Sequence, residues 1–128
     1  MKSKKIAAFL LILAIMAIFL SVTVAARWIN TMGISCDLAF SGRTATCKGN
    51  IEALPGSTIS GTLTLYKKNG SSWDYVTSWN KNSASSLTIN EKYTVSSAGT
   101  YRVMISGTVT RNGTSEFVSL TSSEKSCN

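Results

Sequence analysis

The residues from Ala98 to Leu120 constrain the fold more than any other stretch of this chain. Val103, Ile105, Gly107 and Val109 fall at every other position, the period of a strand with one buried face. Asn112-Gly113 follows, a dipeptide that tolerates positive φ at both centres of a tight hairpin turn. A two-residue turn there sets Ile105 opposite Leu120 and Gly107 opposite Val118, so the apolar faces of the two strands coincide. A one-residue slip would turn one of them to water. The stretch reads as a central β-hairpin.

The N-terminus has a different logic. Met1-Lys2-Ser3-Lys4-Lys5 is basic, Ile6 to Leu20 is an almost unbroken apolar run, and Val24-Ala25-Ala26 supplies small residues for cleavage. Residues 1–26 are expected to be a secretory signal peptide cut near Ala26, leaving residues 27–128 as one domain of ordinary size. The alternative is an uncleaved membrane anchor, since Ile6 to Val24 is nearly long enough to span a bilayer. Ser21, Thr23 and the small residues favour cleavage, and no Cys follows the apolar run to carry a lipid.

Removing the leader changes the charge balance. Three of the 13 basic residues lie in it and none of the six acids does, so +4 of the formal +7 remains. That is mildly basic, with Lys67-Lys68 as the only doublet. Such a surface can lean on anionic wall polymers or lipid headgroups, but it lacks the dense basic patch of a nucleic-acid footprint.

The other strands follow from alternation and turn chemistry. Ile34 to Phe40 carries its apolar residues at even positions, and Thr44 to Ala53 has Ala45, Cys47, Gly49 and Ile51 at odd ones. Leu54-Pro55-Gly56-Ser57 is a turn signal. Thr58 to Lys67 points Ile59, Gly61, Leu63 and Leu65 one way and Tyr66 the other. Asn69-Gly70 turns the chain into a fourth strand, Trp73 to Asn80. Lys81 to Ser86 reads as a polar loop, and Leu87, Ile89, Tyr93 and Val95 mark a fifth strand. Ser122 to Asn128 is expected to be a loose tail unless Cys127 anchors it. With the opening hairpin this makes about seven strands and no helical periodicity after the leader, an all-β Greek-key sandwich, with a small barrel as the alternative. Tyr101, just after Gly99-Thr100, stands where a tyrosine corner pins the chain in immunoglobulin-like sandwiches.

Cys36, Cys47 and Cys127 stay with the exported part, so at least one disulfide is expected. A turn at Ser41-Gly42 would set Cys36 opposite Cys47, but on a hydrogen-bonded pair, where the Cβ atoms stand farther apart. A Cys47–Cys127 bridge would tie the second strand to the tail and stabilise by ~3–5 kcal/mol on the chain-entropy model. The second is preferred, with the other pairings open.

The chemistry-bearing residues argue against an enzyme. The chain has no His, which excludes Ser–His–Asp and Cys–His catalysis and His-based metal sites. The six carboxylates are scattered and form no acid/base motif, and the glycines sit at turns or singly in strands rather than in a phosphate loop. No cofactor is implied. Asn69-Gly70-Ser71 and Asn112-Gly113-Thr114 fit the glycosylation pattern but are needed as turns.

The hairpin of the third and fourth strands is the one constellation with a binding chemistry. Trp73, Tyr75 and Trp79 share a parity and Val76 takes the other. With an even loop, Tyr66, Trp73, Tyr75 and Trp79 line the solvent side, where aromatic planes suit a sugar ring or a partner protein. An odd loop or a bulge sends the tryptophans to the core, the commoner arrangement. The binding surface expected on this hairpin is Tyr66, Lys67, Lys68, Trp73 and Tyr75.

Ile34 to Cys127 resembles small secreted immunoglobulin-like β-sandwich proteins of Gram-positive bacteria, a family without an assigned function. The resemblance rests on Thr44-Ala45-Thr46-Cys47, Gly61 to Lys68, Trp73 with Val76 and Trp79, Lys92-Tyr93-Thr94-Val95, Gly99 to Val103, and Lys125-Ser126-Cys127. It implies an immunoglobulin-like fold and a Cys47–Cys127 bridge; Cys36 departs from the family pattern. The expectation is therefore a secreted, non-enzymatic binding module at the cell envelope or outside the cell. A cell-wall glycan or a secreted or surface protein is its expected partner class. A secreted toxin or antimicrobial protein acting on membranes is the alternative.

Overall fold

The computed structural model describes residues 28–128; the expected signal peptide, its cleavage site and the anchor alternative lie outside the described residues. The eight strands are β1 (Thr31–Ser41), β2 (Thr44–Ala53), β3 (Thr58–Asn69), β4 (Ser72–Ala84), β5 (Ser86–Thr94), β6 (Gly99–Arg111), β7 (Thr114–Thr121) and β8 (Lys125–Cys127). They form two antiparallel sheets, one ordered β1-β2-β5 and the other β4-β3-β6-β7, with β8 paired to the start of β6. The inner faces of both sheets share one apolar core, a sandwich-like all-β arrangement.

The central hairpin has the expected register. Ile105 faces Leu120 and Gly107 faces Val118. Asn112 and Gly113 both take positive φ, 52° and 77°, the conformation whose twist matches that of the flanking strands. Pro55-Gly56 makes the expected turn, with Gly56 at φ 86° and the Ser57 amide donating to the Leu54 carbonyl. Tyr101 is buried, and its hydroxyl donates to the Ser97 carbonyl at 2.7 Å. This bond ties the link between β5 and β6 to the base of the central strand.

Four expectations change. The first turn is Gly42-Arg43, one residue later than expected, because Gly42 supplies the positive φ of 59°. Cys36 therefore faces Gly49, and Cys47 faces Leu38. The polar run from Lys81 is not a loop: β4 continues to Ala84, and the chain passes to the other sheet through Ser85 alone. Ser85 sits at φ 49°, its amide donating to the Ser57 carbonyl and its carbonyl accepting from Ala53. The tail is not loose, since Lys125–Cys127 adds β8 to the Gly99–Tyr101 segment of β6. Finally, the expected Cys47–Cys127 bridge is not formed: all three cysteines are free. The Cys127 thiol instead donates to the Gly42 carbonyl at 3.3 Å, and burial pushes the Cys47 thiol up to about 12.

The inner faces are packed closely enough to need three glycines. Gly61 and Gly107 are direct partners across β3 and β6, and Gly49 occupies the inner face of β2. Ile51, Leu63, Leu87 and Ile105 fill the space that side chains there would take. Large residues from one sheet thus interdigitate with bare backbone on the other.

One side of the core is closed by a carboxylate. Glu116, on β7, accepts from the amides of Ile29, Asn30 and Thr31 and from the Thr31 hydroxyl, at 2.7–2.8 Å. Burial pulls its pKa up, but the four donors outweigh burial and hold it below the ordinary value. Since the folded-state pKa lies below the unfolded one, this stabilisation is complete above the unfolded carboxylate range. It is lost as pH falls through the folded value. Glu116→Gln is expected to cost about 2 kcal/mol near neutral pH. The difference in Tm from the parent protein should vanish in strong acid, where both side chains are neutral. A difference that persisted there unchanged would mean the carboxylate charge is irrelevant to the clamp.

Candidate functional site

A bulge in β4 decides which aromatic residues face water. Near the turn, Lys68 pairs with Trp73 and Tyr66 with Tyr75; beyond it, Leu65 pairs with Thr77 and Leu63 with Trp79. Val76 is the extra residue, and it reverses the parity of everything after it. Trp73 and Tyr75 therefore lie on the outer face of the sheet, while Trp79 turns to the side of Leu63 and packs against the core with Val76. The loop is even, Gly70-Ser71, yet the strand still divides its aromatics between the two faces. Neither the all-outside nor the all-inside arrangement holds.

On the outer face, four of the five expected surface residues come together, and a fifth that sequence reasoning missed joins them. Tyr66 lies between Tyr75 on β4 and Arg102 on β6. The Arg102 guanidinium stacks over the Trp73 ring at 4.0 Å, and Lys68 Nζ stands 5.9 Å from the same ring. Tyr75 is 64% exposed, and a hydrogen bond of 3.0 Å between its hydroxyl and Ser78 Oγ fixes the ring across the bulge. Lys67 does not belong to this face. It points the other way, donating to Ser97 Oγ at 2.6 Å, with its side chain against Gly99. Alternation along β3 requires this: when Leu65 is inside and Tyr66 outside, Lys67 returns to the inner side.

Arg102 follows from the tyrosine corner. Once Tyr101 is buried its neighbour must face outward, but only the β3–β6 pairing brings it beside Tyr66, and that pairing is not legible in either strand alone. Lys68 is ion-paired with Glu124 at 3.4 Å across a partly exposed gap. This is the only ion pair among the described residues, so Arg102 has no carboxylate partner there.

Beyond the aromatic end the same face is neutral, polar along β3 and β4, with Met104 on β6 and the exposed Phe117 on β7. Thr62 Oγ1 donates to Asn80 Oδ1 at 2.6 Å. Thr58, Ser60, Asn82, Thr108 and Thr110 border a shallow concavity of about 460 Å³ at the far end. The outer face of the other sheet differs. It has a concavity of about 290 Å³ bordered by Ser35, Asp37, Lys48, Asn50, Thr88 and Asn90, without an aromatic. Asn50 spends its amide on Glu52, Leu87 and Thr88, and Asn50 and Ser86 hold the Glu52 carboxyl below its ordinary value. No group of three or more His, Cys, Asp or Glu side chains able to hold a metal is present among the described residues.

Searches of protein-family models and of curated proteins find no match to this chain.

Proposed function

We propose that this protein is a secreted, non-enzymatic binding module of the immunoglobulin-like Greek-key type, acting at the cell envelope or outside the cell. The fold reading is supported by the strand orders β1-β2-β5 and β4-β3-β6-β7 and by the Tyr101–Ser97 corner. Export is supported by the basic and apolar leader with its small residues before Arg27.

The observation that carries the binding reading is the convergence of Tyr66, Lys68, Trp73, Tyr75 and Arg102 on one outward face. A large exposed aromatic ring is costly to leave in water and is at home against a sugar ring or a partner side chain. Four of the six described carboxylates have other local work: Glu116 clamps the N-terminal segment, Glu52 accepts from Asn50 and Ser86, Asp74 accepts from Asn69, and Glu124 pairs with Lys68.

The test is co-sedimentation of purified protein with intact cells and isolated cell walls. Retention in the pellet is expected, together with no dye leakage from anionic vesicles at micromolar protein. Protein left in the supernatant would overturn envelope binding, and leakage would favour the membrane-active alternative.

A further inference from the structure

We infer that the outer face of the β4-β3-β6-β7 sheet takes an acidic polysaccharide, one carrying carboxylates on pyranose rings, with Arg102 as its carboxylate receptor and Tyr75 as its ring platform. This deepens the binding reading above and rests on it.

Charge is the first argument. Of the two cations at the aromatic end, Glu124 neutralises Lys68 from the rim, whereas Arg102 is uncompensated among the described residues. Its Nε is buried without a hydrogen-bond partner, so only the outer edge of the guanidinium is left to receive a ligand. That edge offers two parallel N–H donors, the fork that matches a carboxylate. Stacking on Trp73 holds the plane in place, so little side-chain freedom is lost on binding.

Ring chemistry is the second argument. Tyr75 is tethered at its hydroxyl and exposed on its face, and Tyr66 separates it from Arg102 in the register. A pyranose presents a rigid apolar C–H face to such a ring, which a flexible polyol phosphate cannot do. The rest of the face suits a chain rather than a single sugar. From Tyr66 to Thr58 the face spans about 27 Å at strand rise, and beyond the buried Thr64 it offers hydroxyls of β3 and amides of β4, including the Thr62–Asn80 pair and the far concavity. Neutral donors and acceptors of this kind read sugar hydroxyls along a polymer.

The experiment is calorimetric titration of the purified protein with polygalacturonate, with dextran and inorganic polyphosphate as comparison probes. Polygalacturonate is expected to bind, more weakly as salt is raised, and dextran at least about tenfold more weakly. Arg102→Gln and Tyr75→Ser should each lose about tenfold or more in affinity with an unchanged circular dichroism spectrum. Arg102→Lys should not restore it, because an ammonium lacks the fork. Glu124→Gln, at an exposed site that cannot disturb the fold, should tighten binding by freeing Lys68. Equal binding of dextran, a polyphosphate affinity matching that of polygalacturonate, or indifference to Tyr75→Ser would overturn the inference. Retention on cell walls without polygalacturonate binding would overturn it alone, whereas loss of wall retention would remove the binding reading beneath it.

Discussion

Gly107→Val is expected to destabilise the protein by at least about 3 kcal/mol, at the severe end of single substitutions. A Cβ at this position would lie 2.8 Å from Ile51 Cδ1 and 2.9 Å from the Ser60 carbonyl oxygen. The isoleucine methyl can swing aside. The carbonyl cannot, because it belongs to the backbone of β3, against which β6 is registered at Gly61–Gly107. Relief therefore requires the two central strands to part or the sheets to separate, with loss of packing against Leu63, Ile105 and Leu87. Gly61→Ala makes the contrast, since its nearest neighbours are the two Leu87 methyls at 3.1 Å, and a leucine tip can yield for about 1 kcal/mol. Urea denaturation of both variants measures the pair of values. Equal costs would mean that the backbone oxygen is not the obstacle.

The second large effect is a separation of stability from binding along a single strand. Trp79→Ala is expected to cost about 2–3 kcal/mol, because the ring is partly buried against the core beside Val76. Wall retention should survive as long as the protein is folded. Trp73→Ala should do the opposite. It removes a stacked cation contact worth about 0.5–1 kcal/mol at a partly exposed site, while releasing Arg102 from the geometry on which binding depends. Retention on walls should fall by about tenfold or more, with Tm lowered only slightly. The bulge at Val76 is the reason two tryptophans six positions apart behave so differently. Similar losses of binding from both variants would contradict the assignment of one to the core and the other to the ligand.

That bulge also marks the limit of what the chain displays in one dimension. Alternation located the inner faces well: Val103, Ile105, Gly107 and Val109 all point inward, as do Ile59, Gly61, Leu63 and Leu65. Turn chemistry places the hairpin at Asn112-Gly113 and the turn between the sheets at Pro55-Gly56, because positive φ needs specific residues. It missed by one residue at Gly42, where serine and glycine together give no signal about which positions are central. The run from Lys81 to Ser86 reads as a loop from its polarity, yet its Lys81 to Ala84 part belongs to β4. It is strand because an edge strand with one solvated face needs few apolar residues, and the turn to β5 takes only Ser85. Sequence alternation carried Tyr66, Lys68, Trp73 and Tyr75 to one face, yet a one-residue insertion in β4 could not be heard in a stretch where aromatics stand on both sides of it. Arg102 and the Glu116 clamp were silent for a different reason. Each depends on a partner far away in sequence, Tyr66 and Trp73 in one case and residues Ile29–Thr31 in the other.

The outer face of the β4-β3-β6-β7 sheet is the proposed place of envelope-glycan binding. The most direct measurement is a titration of isotope-labelled protein with solubilised cell-wall glycan, followed by amide chemical shifts residue by residue. The largest changes are expected at Tyr66, Lys68, Trp73, Tyr75 and Arg102, extending toward Thr62 and Asn80. Ser35, Asp37, Lys48 and Asn90 on the opposite sheet should remain still. Changes centred on that opposite sheet, or on the N-terminal segment, would contradict the assignment.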